Sequence, residues 1–322
     1  MSENEQNLNQ EKLPLKLIVL NAFLILSIIF LFFLIYGKIK SSEAKSTEIE
    51  NQVVSSPAFD KVSKLSAKAA YVLDVEGNRV LFSKNETSQL PLASLTKLMT
   101  AVVAMDLVPK NSKITIKNEF LQEFGDSGLV VNEDWKLKDL LDFSLVASSN
   151  DGSRAIASVV GSSILQTEDY DLGRKDFIEK MNLKARELGL TKMYFINESG
   201  LDISQSQGGG YGSAEEVATL LSYILKNEPD IVEATKYPGG TFESSTATHT
   251  ISNTNSEVGY IPGLMASKTG YTDLAGGNLV VAFDAGIGRP VIVVVLGSTR
   301  EERFSDVKSL VDATLEYFVT GQ

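Results

Sequence analysis

The order of the predicted elements indicates an α+β fold, in which one mainly antiparallel sheet is flanked by helices and interrupted by an inserted helical subdomain. Apolar runs of strand length occur at 69–75 and 79–83, and again at 278–283 and 290–296. The sequence between these two pairs has helical periodicity. We therefore expect strands from both ends of the domain to share one sheet. A separate apolar run nearer the N-terminus adds one transmembrane helix.

That N-terminal apolar run covers residues 17–36 and is interrupted only by Asn21 and Ser27. Twenty helical residues span about 30 Å, which is the thickness of the hydrocarbon core of a bilayer. The sequence YGKIK follows the run, and no small-residue cleavage site is present there. We therefore predict an uncleaved anchor and not a signal peptide. Lysines flank both ends, so the positive-inside rule leaves its orientation open.

The anchor divides the chain into four parts. Residues 1–16 form a short tail, 17–36 the anchor, 37–58 a linker and 59–322 the globular domain. The linker is rich in Ser, Glu, Lys and Asn and has no apolar period. Residues 1–52 hold five Lys and six Glu, so the globular domain carries nearly all of the net charge of −11.

The local patterns of the domain predict its elements in order. The first two apolar runs are separated by Glu-Gly-Asn and predict a β-hairpin. A long apolar helix is expected to begin near Ser94, soon after Pro91. Ser213 and Glu216 have the spacing of a capping box at the start of another helix. Further helices are predicted at 137–147, 153–160, 177–188 and 301–318, and further strand structure at 240–251, 278–283 and 290–296.

The composition excludes several kinds of site. The chain has no Cys, which excludes disulfides, thiol nucleophiles and iron–sulfur clusters. His249 is the single histidine, so a multi-histidine metal centre is not expected, and we assign His249 to a surface or edge strand. The 41 acidic residues outnumber the 30 basic ones, which argues against nucleic acid as a partner.

The sequence SLTK at 94–97 is one of three S-x-x-K sequences in the chain, and its context sets it apart. The other two lie in the linker and on the last predicted helix. Because positions i and i+3 of a helix share a face, the Lys97 amine can reach the Ser94 hydroxyl. A neutral lysine can serve as the base that activates a serine, and burial beside other cations favours the neutral form.

Two more short motifs follow SLTK along the chain. Residues 148–150 read Ser-Ser-Asn, an S-x-N motif on a turn between two predicted helices, where a hydroxyl can relay a proton. A simple helix cap is the alternative explanation of that motif. Residues 268–270 read Lys-Thr-Gly, a K-T-G motif on a predicted strand. It presents a cation and a hydroxyl to a carboxylate, and its glycine leaves room for a substrate backbone.

The three motifs occur in the order and on the elements of the serine acyl-transfer enzymes that include penicillin-binding proteins and β-lactamases. Together with the segments LPLASLTKLMTA, YFINESGLD and GLMASKTGYTDLAGGNLV, they make the chain resemble the D-alanyl-D-alanine carboxypeptidases. These are the low-molecular-mass penicillin-binding proteins of serine peptidase family S11. The resemblance covers about residues 67–318 and implies a β-lactamase/transpeptidase-like fold.

The resemblance implies three catalytic residues. Ser94 is the acylated nucleophile, Lys97 is its base, and Ser148 relays protons to the leaving amine. It also implies that backbone N–H groups of Ser94 and Tyr271 form the oxyanion hole.

The same resemblance implies the substrate-binding residues. Asn150 positions the peptide, Lys268 supplies positive potential and Thr269 binds the terminal carboxylate, while Gly270 and Tyr271 complete the wall of the site. The implied partners are a peptidoglycan stem peptide and, as covalent inhibitors, β-lactam antibiotics. No cofactor and no metal ion is implied. An extracytoplasmic substrate implies a cytoplasmic N-terminus, with the catalytic domain held at the cytoplasmic membrane by its anchor.

Three alternatives to the carboxypeptidase activity stay open from the sequence. A β-lactamase needs a carboxylate that activates water, and Glu198 in NESGL, where relatives usually carry an uncharged residue, is the candidate. A D,D-endopeptidase uses the same motifs on cross-linked peptides. A non-catalytic wall-binding protein would be anchored in the same way. The chain ends soon after the last helix, where relatives often continue into a further domain and an amphipathic anchor, so we expect the N-terminal span to replace that anchor.

Overall fold

The computed structural model describes residues 56–62, 64–125 and 127–321. The predicted tail, the predicted anchor at 17–36 and most of the predicted linker lie outside these residues. In the part of the chain that is described, no helix is long and apolar enough to cross a membrane.

The described residues form twelve strands, several of them short. They are β1 Ala69–Asp74, β2 Arg79–Lys84, β3 Leu90–Pro91, β4 Lys113–Thr115, β5 Asp134–Lys136, β6 Tyr194–Phe195, β7 Gly210–Gly212, β8 Gly239–Glu243, β9 Thr248–Ser252, β10 Leu264–Thr272, β11 Gly276–Asp284 and β12 Pro290–Ser298.

Seven α-helices accompany these strands within the same described ranges. They are α1 Pro57–Asp60, α2 Lys97–Leu107, α3 Leu137–Val146, α4 Asn150–Leu165, α5 Tyr170–Glu187, α6 Ala214–Asn227 and α7 Glu302–Thr320.

Five strands form the central sheet in the order β10-β11-β12-β1-β2, and every neighbouring pair is antiparallel. β1 pairs with β12 from Ala69 opposite Leu296 to Asp74 opposite Val291, so the two ends of the domain meet in the sheet. The predicted α+β class and the predicted hairpin of β1 and β2 are thereby confirmed. The β10 strand lies at one edge of the sheet.

The sheet is covered on both faces, which explains the unbroken apolar run PVIVVVL in β12. Helices α1 and α7 cover one face, where Val293, Val295, Leu310 and Phe59 belong to one buried cluster. Helix α6 packs against β1 and β12. Helix α1 begins at Pro57, two residues before the predicted start of the domain.

The inserted helical subdomain contains α2 to α5, and the hairpins β4–β5 and β8–β9 pack beside it. His249 lies on β9, as an edge-strand residue would, but its side chain is mostly buried. Its Nε2 lies 3.0 Å from Glu133 Oε1, and its ring packs against Trp135 and Phe143. Trp135 is itself buried and donates to Glu133. The contacts of His249 therefore join two hairpins to helix α3.

Three predicted helix starts and one predicted capping box differ from the structure. Helix α4 begins at Asn150 and not at 153, and α5 begins at Tyr170 and not at 177. Ser94 lies in a 3₁₀ turn at 93–96, and α2 begins only at Lys97. At the start of α6, Ser213 Oγ accepts from the Glu216 N–H, which is half of a capping box. The Glu216 carboxylate instead accepts from the backbone N–H of Lys192 at 2.6 Å. A tertiary contact therefore replaces the reciprocal hydrogen bond within the box.

Asp306 fastens the first and last parts of the domain together. Its carboxylate is 4% exposed and accepts from the N–H groups of Ser66 and Ala67 and from Ser298 Oγ. Asp306→Ala leaves two buried donors, Ala67 N–H and Ser298 Oγ, and the partly buried Ser66 N–H without this acceptor, and is expected to lower the free energy of unfolding by about 3 kcal/mol. Urea denaturation followed by circular dichroism measures the change.

Asp312→Ala on the same helix is the matched control, because Asp312 pairs with Lys308 in an exposed position. Its removal is expected to change the unfolding midpoint little. Equal losses in the two variants would contradict the assigned role of Asp306.

Candidate active site

The turn that carries Ser94 is fixed from two sides. Pro91 lies on β3, which pairs with β7, and the Leu92 N–H donates to Gly210 O at 2.9 Å. From the central sheet, Asn278 Nδ2 donates to Pro91 O at 3.0 Å. Ala93 has a φ of 48°, which is uncommon for a residue with a side chain. The surrounding contacts hold this conformation and set the position of Ser94.

The Lys97 side chain extends from the first turn of α2 toward three oxygen atoms. Its Nζ lies 2.9 Å from Ser94 Oγ, 2.7 Å from Asn150 Oδ1 and 2.9 Å from Ser199 O. The residue is 2% exposed. Lys97 therefore joins the Ser94 turn, the start of α4 and the segment that follows β6.

These three contacts fit a neutral amine that acts as a base. Asn150 Oδ1 and Ser199 O can only accept, so they take up the two N–H groups of a neutral amine and leave its lone pair facing the Ser94 hydroxyl. Burial lowers the pKa of Lys97 to about 7, against the opposing effect of Glu198 and Glu123. A lysine with that pKa is neutral in part at physiological pH and can accept the serine proton.

A second lysine–serine pair lies on the other side of the site. Ser148 occupies the turn between α3 and α4 with a φ of 58°, and Lys268 Nζ on β10 donates to its Oγ at 2.8 Å. Lys268 also donates to Thr269 O. The pKa of Lys268 is lowered well below its usual value. Burial is the main cause, and the nearby cations Lys97 and Arg303 add to it. A carboxylate bound beside Lys268 would act in the opposite direction.

The edge strand β10 packs directly against the turn at 93–96 that carries Ser94. A Cβ at Gly270 would lie 2.9 Å from Leu92 O and 3.2 Å from Ser94 N. Glycine is therefore required here by the close approach of two backbones. Arg303 Nη1, reaching from α7, donates to Gly270 O at 2.8 Å and holds the strand from behind.

The remaining predicted residues lie along the same cleft. Thr269 is buried, and its hydroxyl donates to Thr254 Oγ1 at 2.6 Å. Asn150 Nδ2 donates to Phe124 O at 2.7 Å, which ties the start of α4 to the loop before β5. Tyr271 is 42% exposed at the outer end of β10, with the Arg300 guanidinium over its ring.

The structure thus joins Ser94, Lys97 and Asn150 by direct contacts and joins Ser148 to Lys268. Thr269, Gly270 and Tyr271 continue along β10. Within the described ranges, no group of three or more His, Asp or Glu side chains is arranged to hold a metal ion.

Three contributing groups were missed from the sequence. Ser199 contributes only its carbonyl, and a backbone atom leaves no signal in the residue pattern. Thr254 stands in the sequence Asn-Thr-Asn at 253–255, and both flanking asparagines form hydrogen bonds with the backbone. A single threonine between two asparagines gives no signal for a role in the site. Arg303 belongs to the last helix, and nothing in its spacing indicates that it reaches β10.

Glu198 does not have the surroundings of a water-activating base. It is fully buried, and its Oε2 lies 2.9 Å from Arg174 Nε on α5. A carboxylate in a buried ion pair is a poor acceptor for the proton of an attacking water.

Comparison with known proteins agrees with this geometry. The family model described as D-alanyl-D-alanine carboxypeptidase matches residues 52–300. The chain belongs to this family. Among its curated relatives, the D-alanyl-D-alanine carboxypeptidase DacF of Bacillus subtilis is 31% identical over 265 residues, 79% of this chain and 63% of DacF. The match therefore spans less than two thirds of that relative's length.

Two further proteins are similar to this chain, one a curated relative and the other a solved structure. A D-alanyl-D-alanine endopeptidase of Escherichia coli is 29% identical over 77% of this chain and 76% of the relative. Penicillin-binding protein D2 of Listeria monocytogenes, solved in its ampicillin-bound form, superposes with a TM-score of 0.65. It is 29% identical, and the superposition covers 78% of this chain and 98% of that one.

The protonation state of Lys97 gives this family member an expected pH dependence. With Lys97 as the expected base, acylation by a fluorescent penicillin requires the neutral amine, so its rate should rise with pH through a midpoint near the Lys97 pKa of about 7 and then level off. Stopped-flow measurement between about pH 5 and about pH 9 follows the change. A rate that stays flat or falls over this range would contradict the assignment of Lys97 as the base.

Proposed function

We propose that this protein is a serine-type D-Ala-D-Ala carboxypeptidase that removes the terminal D-Ala from peptidoglycan stem peptides through an acyl-enzyme on Ser94. The observation that supports the proposal most directly is the contact of a buried Lys97 amine with Ser94 Oγ, with two acceptors fixing the orientation of that amine. Membership of the family supplies the substrate class.

Acylation begins with proton transfer from Ser94 to neutral Lys97. The Ser94 oxygen attacks the carbonyl carbon of the penultimate D-Ala, and the carbonyl oxygen becomes an oxyanion. The N–H groups of Ser94 and Tyr271 are the proposed donors to this oxyanion. The closeness of Gly270 to Ser94 N brings β10 to the place where such a pair of donors is needed.

Departure of the terminal D-Ala requires a proton on its amine. Ser148 is proposed to pass to that amine the proton that Lys97 took from Ser94, as the bond between the carbonyl carbon and the amine breaks. Its hydroxyl is already held by Lys268. Lys268 and Thr269 are the proposed partners of the substrate's terminal carboxylate, and Asn150 the proposed partner of the acyl-donor peptide. Water then hydrolyses the ester on Ser94 and releases the shortened stem peptide. A β-lactam acylates Ser94 by the same route.

A D,D-endopeptidase is the second candidate, because proteins with that activity in their names are as similar to this chain as several carboxypeptidases are. Both activities break the same type of peptide bond, so the difference lies in whether the leaving group is free D-Ala or a cross-linked peptide. The burial of Glu198 beside Arg174 argues against a β-lactamase. The complete set of contacts around Lys97 argues against a non-catalytic wall-binding protein.

Ser94→Ala is expected to abolish both penicillin labelling and the release of D-Ala from a stem pentapeptide, because among the described residues Ser94 carries the one hydroxyl that is hydrogen-bonded to Lys97. Lys97→Ala should also block labelling while the fold is retained. Mass spectrometry of the pentapeptide should show the loss of one D-Ala with the unaltered chain.

Ser305→Ala is the control for this pair, since Ser305 and Lys308 form another S-x-x-K sequence on an exposed face of α7. It should retain full activity. Release of D-Ala by Ser94→Ala would refute the assignment of Ser94 as the nucleophile. Cleavage of a cross-linked dimer in preference to the pentapeptide would favour the endopeptidase. Rapid nitrocefin turnover would favour a β-lactamase.

We also propose that residues 17–36 anchor the protein in the cytoplasmic membrane with the catalytic domain outside. The length and apolarity of this segment and the extracytoplasmic location of peptidoglycan support the proposal.

The full-length chain is therefore expected to stay with membranes during alkaline carbonate extraction. A protease added outside spheroplasts should degrade its catalytic domain. Release by carbonate, or a mature N-terminus located beyond residue 36, would contradict the anchor.

A further inference from the structure

The segment after β6 contacts helix α2 at two points on one face of that helix. Lys97 Nζ donates to Ser199 O at 2.9 Å, and Thr100 Oγ1, one turn further along, donates to Glu198 O at 2.7 Å. Gly200 follows with a φ of 81°, and a Cβ there would lie 1.8 Å from Ala93 O. The backbone of 198–200 therefore lies against both the base and the nucleophile turn.

The Glu198 side chain brings a charge into this buried region. The residue is fully buried, and Oε2 forms an ion pair with Arg174 Nε. Its Oε1 is also buried and has no hydrogen-bond partner among the described residues. A buried charge with an unsatisfied oxygen is costly for stability alone, which favours a role in the chemistry beside it.

Charged groups face this region from several neighbouring elements. Glu123, in the loop before β5, acts on Lys97 together with Glu198, and Lys268 faces Lys97 from β10. Glu123 pairs with Arg154 of α4, and its N–H donates to Asp151. Of the two carboxylates that raise the pKa of Lys97, Glu198 has the larger effect.

We propose that Glu198, held by Arg174, is a positioning residue. Its negative charge favours the protonated form of Lys97, and its position fixes the Ser199 carbonyl to which Lys97 donates. It acts through Lys97 and does not touch the substrate. The inference rests on the proposed acyl transfer.

The reason for such a carboxylate follows from the two opposing requirements on the base. Burial drives Lys97 toward the neutral form, and a lysine that loses its proton too easily is a weak base. Glu198 opposes this effect and keeps the amine basic. Arg174 in turn compensates the charge of the buried carboxylate through its ion pair.

Glu198→Gln tests the proposal in the full-length chain, because the amide preserves the shape and can still accept from Arg174. Loss of the negative charge makes Lys97 neutral at lower pH. The acylation rate with a fluorescent penicillin is expressed as a fraction of each protein's own plateau rate. At about pH 6, this fraction should be about threefold higher in the variant than in the unaltered chain. Glu198→Asp, which keeps the charge, should restore a midpoint close to that of the unaltered chain.

Asp176→Asn on α5 is the matched control, since it removes a carboxylate that pairs with Lys180 within the same helix. Its midpoint should not move. If Glu198→Gln does not fold, the double variant E198Q/R174Q removes both charges together, and its midpoint should also fall, by less.

A lower plateau with an unchanged midpoint, or a midpoint moved to higher pH, would overturn the proposal and leave Glu198 a purely structural role. Failure of the unaltered chain to be acylated at all would instead refute the proposed function. The two failures are therefore distinguishable in one set of measurements.

Discussion

Burial of the Lys97 amine is the constraint on which the rest of the site depends. Removing an ammonium ion from water costs several kcal/mol, so the protein must either neutralise the amine or surround it with acceptors. It does both, since burial lowers the pKa to about 7 while Asn150 and Ser199 accept its N–H groups. Burial of Lys97 therefore lowers the stability of the fold, but it also gives the amine a pKa at which it can act as a base.

The position of the site at the edge of the central sheet follows from what the substrate must reach. An edge strand has backbone groups without a neighbouring strand, and an extended peptide can bind beside it. In this protein β10 is that edge, and Gly270 lets it approach the Ser94 turn. Asn278 and Arg303 hold the turn and the strand from within the domain. The hydrophobic sheet therefore acts as a rigid support for the catalytic groups.

Much of the fold and of the site was predictable because the signals are local. Alternating and unbroken apolar runs predicted β1, β2, β11 and β12, and helical periodicity predicted the subdomain. The i, i+3 spacing of Ser94 and Lys97 predicted their contact, which the structure contains. Less local features were predicted poorly. The helix start near Ser94 was displaced because the strained Ala93 forms a 3₁₀ turn, and the Glu216 half of the capping box was lost to a tertiary contact.

The sequence by itself therefore determined the fold class, the three motifs and the elements that carry them, since periodicity and short spacings are properties of neighbouring residues. Tertiary structure alone decided that the Ser199 carbonyl, the Thr254 hydroxyl and the Arg303 guanidinium join those motifs. It also decided that Glu198 is buried against Arg174 and not exposed to water. Burial and the distance between charges depend on residues far apart in the chain, and no local pattern encodes them.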